Sequence, residues 1–287
     1  MMFERNNIGI IGGDQRQLAL AESIAGDGYK VFACGFENAD LTENVQKANL
    51  HRTVSVCSTL LLPLPVTIDG ETVKAEYAEH PILLNQKFAE KIQNHRVFGG
   101  VTERALSMCP RLADLKLQNY YSREDFALRN AVVTAEGALQ YAMQEFPGTI
   151  CGSKCLVAGF GRIGSQLVPR LRALGADVTA TTRKPQTAAR IEALGCHFVP
   201  TDRLGDGGNY DILFNTVPAM LFTSDVLAAY PHGTLLIDLS SAPGGVDMAA
   251  AKKLGIAAMH AFSLPAKVAP RAAGEIIKRT VYEMMKE

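Results

Sequence analysis

No sign of charge prevails in this chain of 287 residues: 29 Lys and Arg stand against 29 Asp and Glu. The balance excludes the basic excess by which proteins hold nucleic acid or an anionic membrane, and neither partner is expected. Long apolar runs are also missing, none approaching the ~20 residues of a membrane span. Residues 1–7 carry no secretion signal and lead straight into an apolar run, so a cytoplasmic protein is expected. The six cysteines, Cys34, Cys57, Cys109, Cys151, Cys155 and Cys196, form no C-x-x-C pair. Cys151 and Cys155 lack a second half at zinc spacing, so reduced thiols are expected and no metal. What remains is a chain 47% hydrophobic and 20% charged, the composition of a globular protein long enough for two domains.

Glycine, by contrast, is placed with a pattern. Residues 154–158 end in a short apolar run, and Gly159, Gly161 and Gly164 follow at G-x-G-x-x-G spacing. The pattern predicts a strand, a glycine turn, a helix over 165–174 and a second strand over 177–181, the unit that binds dinucleotides. The first glycine permits the tight turn, the second lets a pyrophosphate approach the backbone, and the third lets helix pack on strand. The helix start supplies N–H groups and partial positive charge for the phosphates. Gly159, Phe160, Gly161, Arg162, Ile163 and Gly164 are therefore the expected cofactor turn. Pro169 is expected to kink the helix. After the second strand an NAD-specific protein usually presents an acid to the ribose; here stand Thr182, Arg183 and Lys184. Adjacent cations suit a 2′-phosphate, so NADP is the expected cofactor. The strand ends at Asn215, Thr216, Val217 and Pro218, and at Asp238 and Ser240, should face it as well.

The N-terminal half repeats the α/β pattern. Strands over 8–11 and 31–34 flank a helix over 15–25, but no third glycine follows Gly12 and Gly13. Two readings of this turn stand. It is a small-anion site made by Gly13, Arg16 and the helix start, or Asp14 simply caps the helix and leaves Arg16 in solvent. Residues 53–57 and 59–62 read as short strands or one interrupted strand, 82–92 as a helix, and 96–99 as a strand. Glu103 and Arg104 follow that strand, where open α/β sheets bind ligands. Residues 120–145 read as one long helix carrying Asn130, Thr134 and Glu136, with Gly137 inside, ended by Pro147-Gly148. The expected fold class is α/β: two Rossmann-like domains with parallel sheets and a cleft between them. Residues 1–148 form the substrate-binding domain with its connector helix. Residues 149–287 form the dinucleotide domain, whose last helix, over 269–285, returns to the first.

Motifs along the whole chain carry a resemblance. They are Gly12-Gly13-Asp14 with Arg16 and Gln17, Leu62-Pro63-Leu64-Pro65, Arg123-Glu124-Asp125-Phe126, and Asn130-Ala131 with Thr134-Ala135-Glu136-Gly137. Asn215-Thr216-Val217-Pro218, Asp238-Leu239-Ser240-Ser241 and Pro243-Gly244-Gly245-Val246-Asp247 continue it, and Leu264-Pro265-Ala266-Lys267-Val268-Ala269-Pro270 with Ala273-Gly274-Glu275 closes it. The chain resembles the dipicolinate synthase A-subunit family of sporulation proteins. It departs from the family pattern at Ala266, where Gly is usual, and at Val133, where Pro is usual.

The resemblance implies an NADP-linked oxidation in the mother-cell cytoplasm of a spore former. The family makes dipicolinate, pyridine-2,6-dicarboxylate, from a dihydrodipicolinate of the lysine pathway or its hydrated precursor. The flavoprotein-like B subunit of dipicolinate synthase takes part, and a homo- or hetero-oligomer is expected. A dicarboxylate needs cations or helix starts. The candidates are Gly13, Arg16 and Arg104, then Asn130, Thr134 and Lys267. Glu103, Glu136 and Asp14 are the candidate proton acceptors. His260, at a strand end, reads as a hydrogen-bonded structural residue whose partner is not legible. Two other readings remain open: a 2-hydroxy-acid or amino-acid dehydrogenase-like enzyme, and a non-catalytic NADP(H)-binding regulatory subunit.

Overall fold

The structure, a computed structural model, describes residues 7–115 and 117–287. The absent secretion signal was read from residues that lie largely outside this range. The chain divides into two compact units, Met1–Arg129 with Ala269–Glu287, and Asn130–Val268.

The first unit runs β1 (Asn7–Ile11), α1 (Gln15–Gly26), β2 (Lys30–Cys34), β3 (Val45–Lys47), α2 (Leu50–Val56), β4 (Thr59–Leu61), α3 (Gln86–Ile92), β5 (Arg96–Gly99), α4 (Glu103–Met108) and β6 (Gln118–Asn119), then enters α5 (Glu124–Glu145). Its sheet has the order β3-β2-β1-β4-β5-β6, parallel throughout. β1 and β4 are buried along their whole length, which is why they read as unbroken apolar runs. Residues 53–57, expected as a strand from Thr53, Val54 and Val56, belong instead mostly to α2. Asn49 caps it by accepting the Arg52 N–H at 2.8 Å, and the Thr53 hydroxyl donates to Asn49 O at 3.0 Å. A side-chain cap, with Thr53 buried beneath the helix, outweighs the weak β preference of branched residues. α3 begins four residues later than expected, at Gln86, because Asn85 caps Phe88 N–H at 3.1 Å.

The second unit runs β7 (Lys154–Ala158), α6 (Gly164–Ala173), β8 (Asp177–Thr182), α7 (Pro185–Ala193), β9 (His197–Pro200), β10 (Ile212–Asn215), α8 (Ser224–Leu227), β11 (Leu235–Asp238), α9 (Met248–Lys253), β12 (Ala257–His260) and α10 (Leu264–Val268). Its sheet has the order β12-β11-β10-β7-β8-β9, again parallel. Both sheets thus have the doubly wound order, the sequence of strands turning back beside the first strand of each unit, where such sheets bind ligands.

The last helix, α11 (Pro270–Lys286), belongs to the first unit. Its Ile277, Val281 and Met284 share a buried cluster with Leu20, Ala21 and Ile24 of α1. The division falls inside α5, between Arg129 and Asn130, rather than at the expected Pro147-Gly148. Phe126 is in the core of the first unit, whereas Ala135, Ala138, Leu139 and Ala142 are in the core of the second. One unbroken helix serves both, so no turn signal marks the change. Among the described residues no helix is long and apolar enough to cross a membrane.

Candidate dinucleotide site

β7 is paired on both sides, by β8 and β10, and delivers the chain to Gly159. Gly159 has φ of 95°, a left-handed conformation that side chains oppose. At Gly164 a Cβ would fall on the carbonyl oxygen of Gly159, so only glycine lets α6 start so close to the strand. Gly161 is different: nothing of the protein lies within 4 Å of the place its Cβ would take. No side chain caps the first turn of α6. An open glycine beneath an uncapped helix start is the cradle a pyrophosphate requires, and these residues fit the group. Phe160, Arg162 and Ile163 complete the turn. Gly164→Ala should lower dinucleotide affinity about 100-fold, the scale of a 1 Å misplacement. Isothermal titration calorimetry checks this, with circular dichroism showing the fold intact.

Arg183 and Lys184 lie exposed at the end of β8, beside half-buried Thr182. The Lys184 N–H donates to the Thr182 hydroxyl at 3.1 Å, which turns the chain into α7. On the other side of β7, the Asn215 side chain donates to Val217 O at 3.1 Å and accepts from Val217 N–H at 3.1 Å. The Thr216 hydroxyl anchors this loop to β7 by donating to Ala158 O at 2.9 Å. Val217 is half-buried and Pro218 exposed. Asn215 and Asp238 have no exposed surface. Asn215 donates to Asp238 Oδ1 at 2.9 Å, and Ser240 donates to the same oxygen through N–H at 3.1 Å and hydroxyl at 2.7 Å. Asn215, Asp238 and Ser240 therefore shape the loops of the site from below; their burial corrects the expectation that Asn215 and Asp238 face a cofactor. His260 finds its partner here: its Nδ1 lies 3.1 Å from Asp238 Oδ2.

In the first unit, Asp14 is the cap of α1, taking the Arg16 N–H at 2.9 Å, and Gln17 reaches back to the Asp14 N–H at 3.0 Å. Arg16 is not in solvent. It is buried, bonded to Asp14 at 2.7 Å and to the Leu64 carbonyl. Lys74 adds a second ion pair to Asp14 at 2.5 Å. Burial pushes the Asp14 carboxyl up, but the hydrogen bonds and charges of Arg16 and Lys74 prevail and hold it at about 2. So weak a base is a poor proton acceptor, which corrects that expectation for Asp14. Gly13 O accepts the Glu76 N–H at 2.9 Å, so the segment carrying Lys74 lies against the turn.

The other expected residues are not brought into one group. Exposed Glu103 opens α4 and accepts from Asn119 at 3.3 Å, while Arg104 donates to Asp69 O at 3.1 Å. Glu136 is exposed and faces Arg170 at 3.7 Å. Arg170 is six residues into α6, roughly 9 Å along it from the phosphate end, so Glu136 stands away from the strand ends and is not placed as a base. The Thr134 hydroxyl is spent on Asn130 O, 2.9 Å away in its own helix. Asn130 is half-buried and Lys267 is exposed on α10. All six cysteines are free thiols and only Cys151 is exposed. Burial pushes Cys34 and Cys57 up to about 12 and Cys155 to about 11, which leaves these thiols protonated and unreactive at neutral pH.

Residues 7–121 match the N-terminal domain of the dipicolinate synthase A subunit. Residues 126–252 match the NAD binding domain of D-isomer specific 2-hydroxyacid dehydrogenases. Over 98% of its length the chain is 32% identical to the dipicolinate synthase A subunit of Bacillus subtilis, covering 96% of that protein. The chain belongs to the dipicolinate synthase A-subunit family. The crystal structure of the Bacillus halodurans member superposes with a TM-score of 0.90 at 32% identity, with both chains fully covered. A transhydrogenase from Sinorhizobium meliloti shares the fold alone, with a TM-score of 0.66 at 15% identity over 97% of this chain and 93% of that one.

Membership in the dipicolinate synthase A-subunit family, with its NAD-binding domain, makes the chain an oxidoreductase that uses a nicotinamide dinucleotide. Sequence reasoning missed two features of this family member. Lys74 stands 60 residues from Asp14, in a stretch without periodicity. Asp238 and His260 are register partners on neighbouring strands, a pairing only the sheet reveals.

Proposed function

We propose that the chain is the A subunit of a dipicolinate-forming enzyme, which oxidises dihydrodipicolinate or its hydrated precursor and passes the hydride to NADP. The observation that carries this is the family likeness over 98% of the chain. Arg183 and Lys184, exposed where an acid would select NAD, support NADP. When bound, the dinucleotide would supply the hydride acceptor, and the chain's own residues would hold the ring against it and take up a proton. Each unit offers candidate contacts of its own for the substrate carboxylates: exposed Arg104 in the first, and half-buried Asn130 and exposed Lys267 in the second, while Arg16 is paired with Asp14 and the Thr134 hydroxyl is bonded to Asn130 O. Of the candidate acceptors, Glu103 is the exposed carboxylate that faces no cation within ion-pair range among the described residues, whereas Glu136 faces Arg170. The relatives are named as the A component of a synthase, which supports a partner B subunit for this chain and a role in the mother-cell cytoplasm during sporulation.

The test is an absorbance assay with purified chain, freshly generated lysine-pathway precursor, and NADP or NAD, with and without the B subunit. NADPH should appear together with the pyridine-dicarboxylate absorbance. Product only in the presence of the B subunit would make the chain a dependent component. Dinucleotide binding without product in either mixture would overturn the reaction and leave a nucleotide-binding protein.

A further inference from the structure

We propose that His260 is the proton acceptor of the oxidation, held by Asp238 so that Nε2 meets the substrate on the nicotinamide side of the site. The inference rests on the reaction proposed above and adds the group that the carboxylate candidates do not supply.

The geometry starts in the sheet. Asp238 and His260 are the last residues of β11 and β12 and pair in register, so both emerge at the C-terminal edge where the dinucleotide binds. Position along that edge matters. The phosphates cross at the start of α6, and the cations that suit the adenosine phosphate lie at the end of β8. A dinucleotide held with its phosphates at the start of α6 and its adenosine end at β8 would leave its nicotinamide end to the strands on the other side of β7, which are β10, β11 and β12.

The imidazole is oriented there. Asp238 is wholly buried, and each of its other partners donates: Asn215 Nδ2 and both Ser240 donors to Oδ1, and Gly245 N–H to Oδ2 at 2.9 Å. A carboxylate so surrounded accepts from the ring as well, so Nδ1 carries the hydrogen and Nε2 the lone pair. Phe262 stacks on the ring at 4.7 Å with planes 13° apart. Gly244 closes against it: a Cβ there would lie 2.5 Å from His260 Cε1 and 2.7 Å from Asp238 Oδ2. The side chain keeps 26% of its surface exposed, and Nε2 has no partner among the described residues. Asp238 is the one charged side chain in ion-pair range of the ring among those residues. Asp238 is thus a positioning residue.

The step balances. A hydride leaves one ring carbon of the dihydropyridine, with its electron pair, for the oxidised nicotinamide. The proton on the adjacent ring carbon leaves to His260 Nε2, and the electron pair of that bond becomes the new π-bond of the pyridine. Asp238 stays bonded to Nδ1–H of the resulting imidazolium, which later loses its proton to water.

His260→Asn keeps a donor for Asp238 but offers no base. It should lower kcat/KM by about 100- to 10,000-fold, the usual contribution of a general base. It should also leave the NADP Kd within threefold. The second readout needs no turnover: nitrogen NMR of the wild-type chain saturated with NADP should show His260 protonated at Nδ1 and bare at Nε2, with the bias lost in Asp238→Asn. A wild-type kcat/KM in His260→Asn, or a proton resident on Nε2, would overturn the inference while the reaction stands. A wild-type chain that binds NADP but forms no product, with or without the B subunit, would overturn both.

Discussion

Asp14→Ala should destabilise the first unit by about 3–5 kcal/mol, the cost of breaking a buried ion pair from one side. The midpoint of urea unfolding, followed by circular dichroism, measures it. Asp14 answers two cations at once, Arg16 at 2.7 Å and Lys74 at 2.5 Å, with side-chain exposures of 6% for Arg16 and 10% for Lys74. Without the carboxylate, both charges remain in a site that excludes most water. Asp14→Asn keeps an oxygen for the α1 cap and separates the lost charge from the lost cap, which alone is worth about 1 kcal/mol. Adding Lys74→Met to Asp14→Asn removes a buried cation left with exposed Glu76, 3.1 Å away, as its ion-pair partner and should recover part of the loss. The same carboxyl gives the stability a pH signature. Its folded value, about 2, lies below its ordinary 3.8. The stabilisation is therefore complete above the unfolded value and disappears as pH falls from 3.8 towards 2, about 2 kcal/mol in all. In Asp14→Ala that part of the acid limb should be absent. An unchanged midpoint and acid limb would show that the pair contributes no net stability.

Arg183→Ser combined with Lys184→Asp should reverse the nucleotide preference, lowering NADP affinity about 100-fold or more while NAD binding holds or improves. A charge-assisted hydrogen bond is worth about 1.5–3 kcal/mol. Both side chains are exposed, so the lower end applies to each. Two such bonds to a 2′-phosphate still amount to about 3 kcal/mol, and the new acid would repel the phosphate and accept from the free ribose hydroxyls of NAD. Wild-type NADP affinity should fall with added salt more steeply than NAD affinity, because the bonds are solvent-facing. Calorimetric titration of both nucleotides at two salt concentrations reads both effects. Equal affinities for NADP and NAD in the wild-type chain would remove the assignment.

The dinucleotide turn was legible because its logic is local. Gly159, Gly161 and Gly164 act on atoms within a few residues, and the flanking strands, buried on both faces, print as apolar runs. Local signals misled where two of them competed: Thr53, Val54 and Val56 suggested a strand, while the Asn49 cap and burial made a helix. Glu136 shows the limit of helical periodicity, which tells that a residue is on a helix but not which neighbour its face meets; it meets Arg170. The strand–turn–helix unit and the doubly wound class follow from short-range sterics and hydrogen bonding, and the lack of an acid after β8 is plain from Thr182, Arg183 and Lys184. That Lys74 joins Arg16 on Asp14, that α5 serves two cores and that Asp238 holds His260 emerges from packing alone. Those pairings depend on strand register and on long connections, and register is set by how whole surfaces pack rather than by the residues that end up side by side.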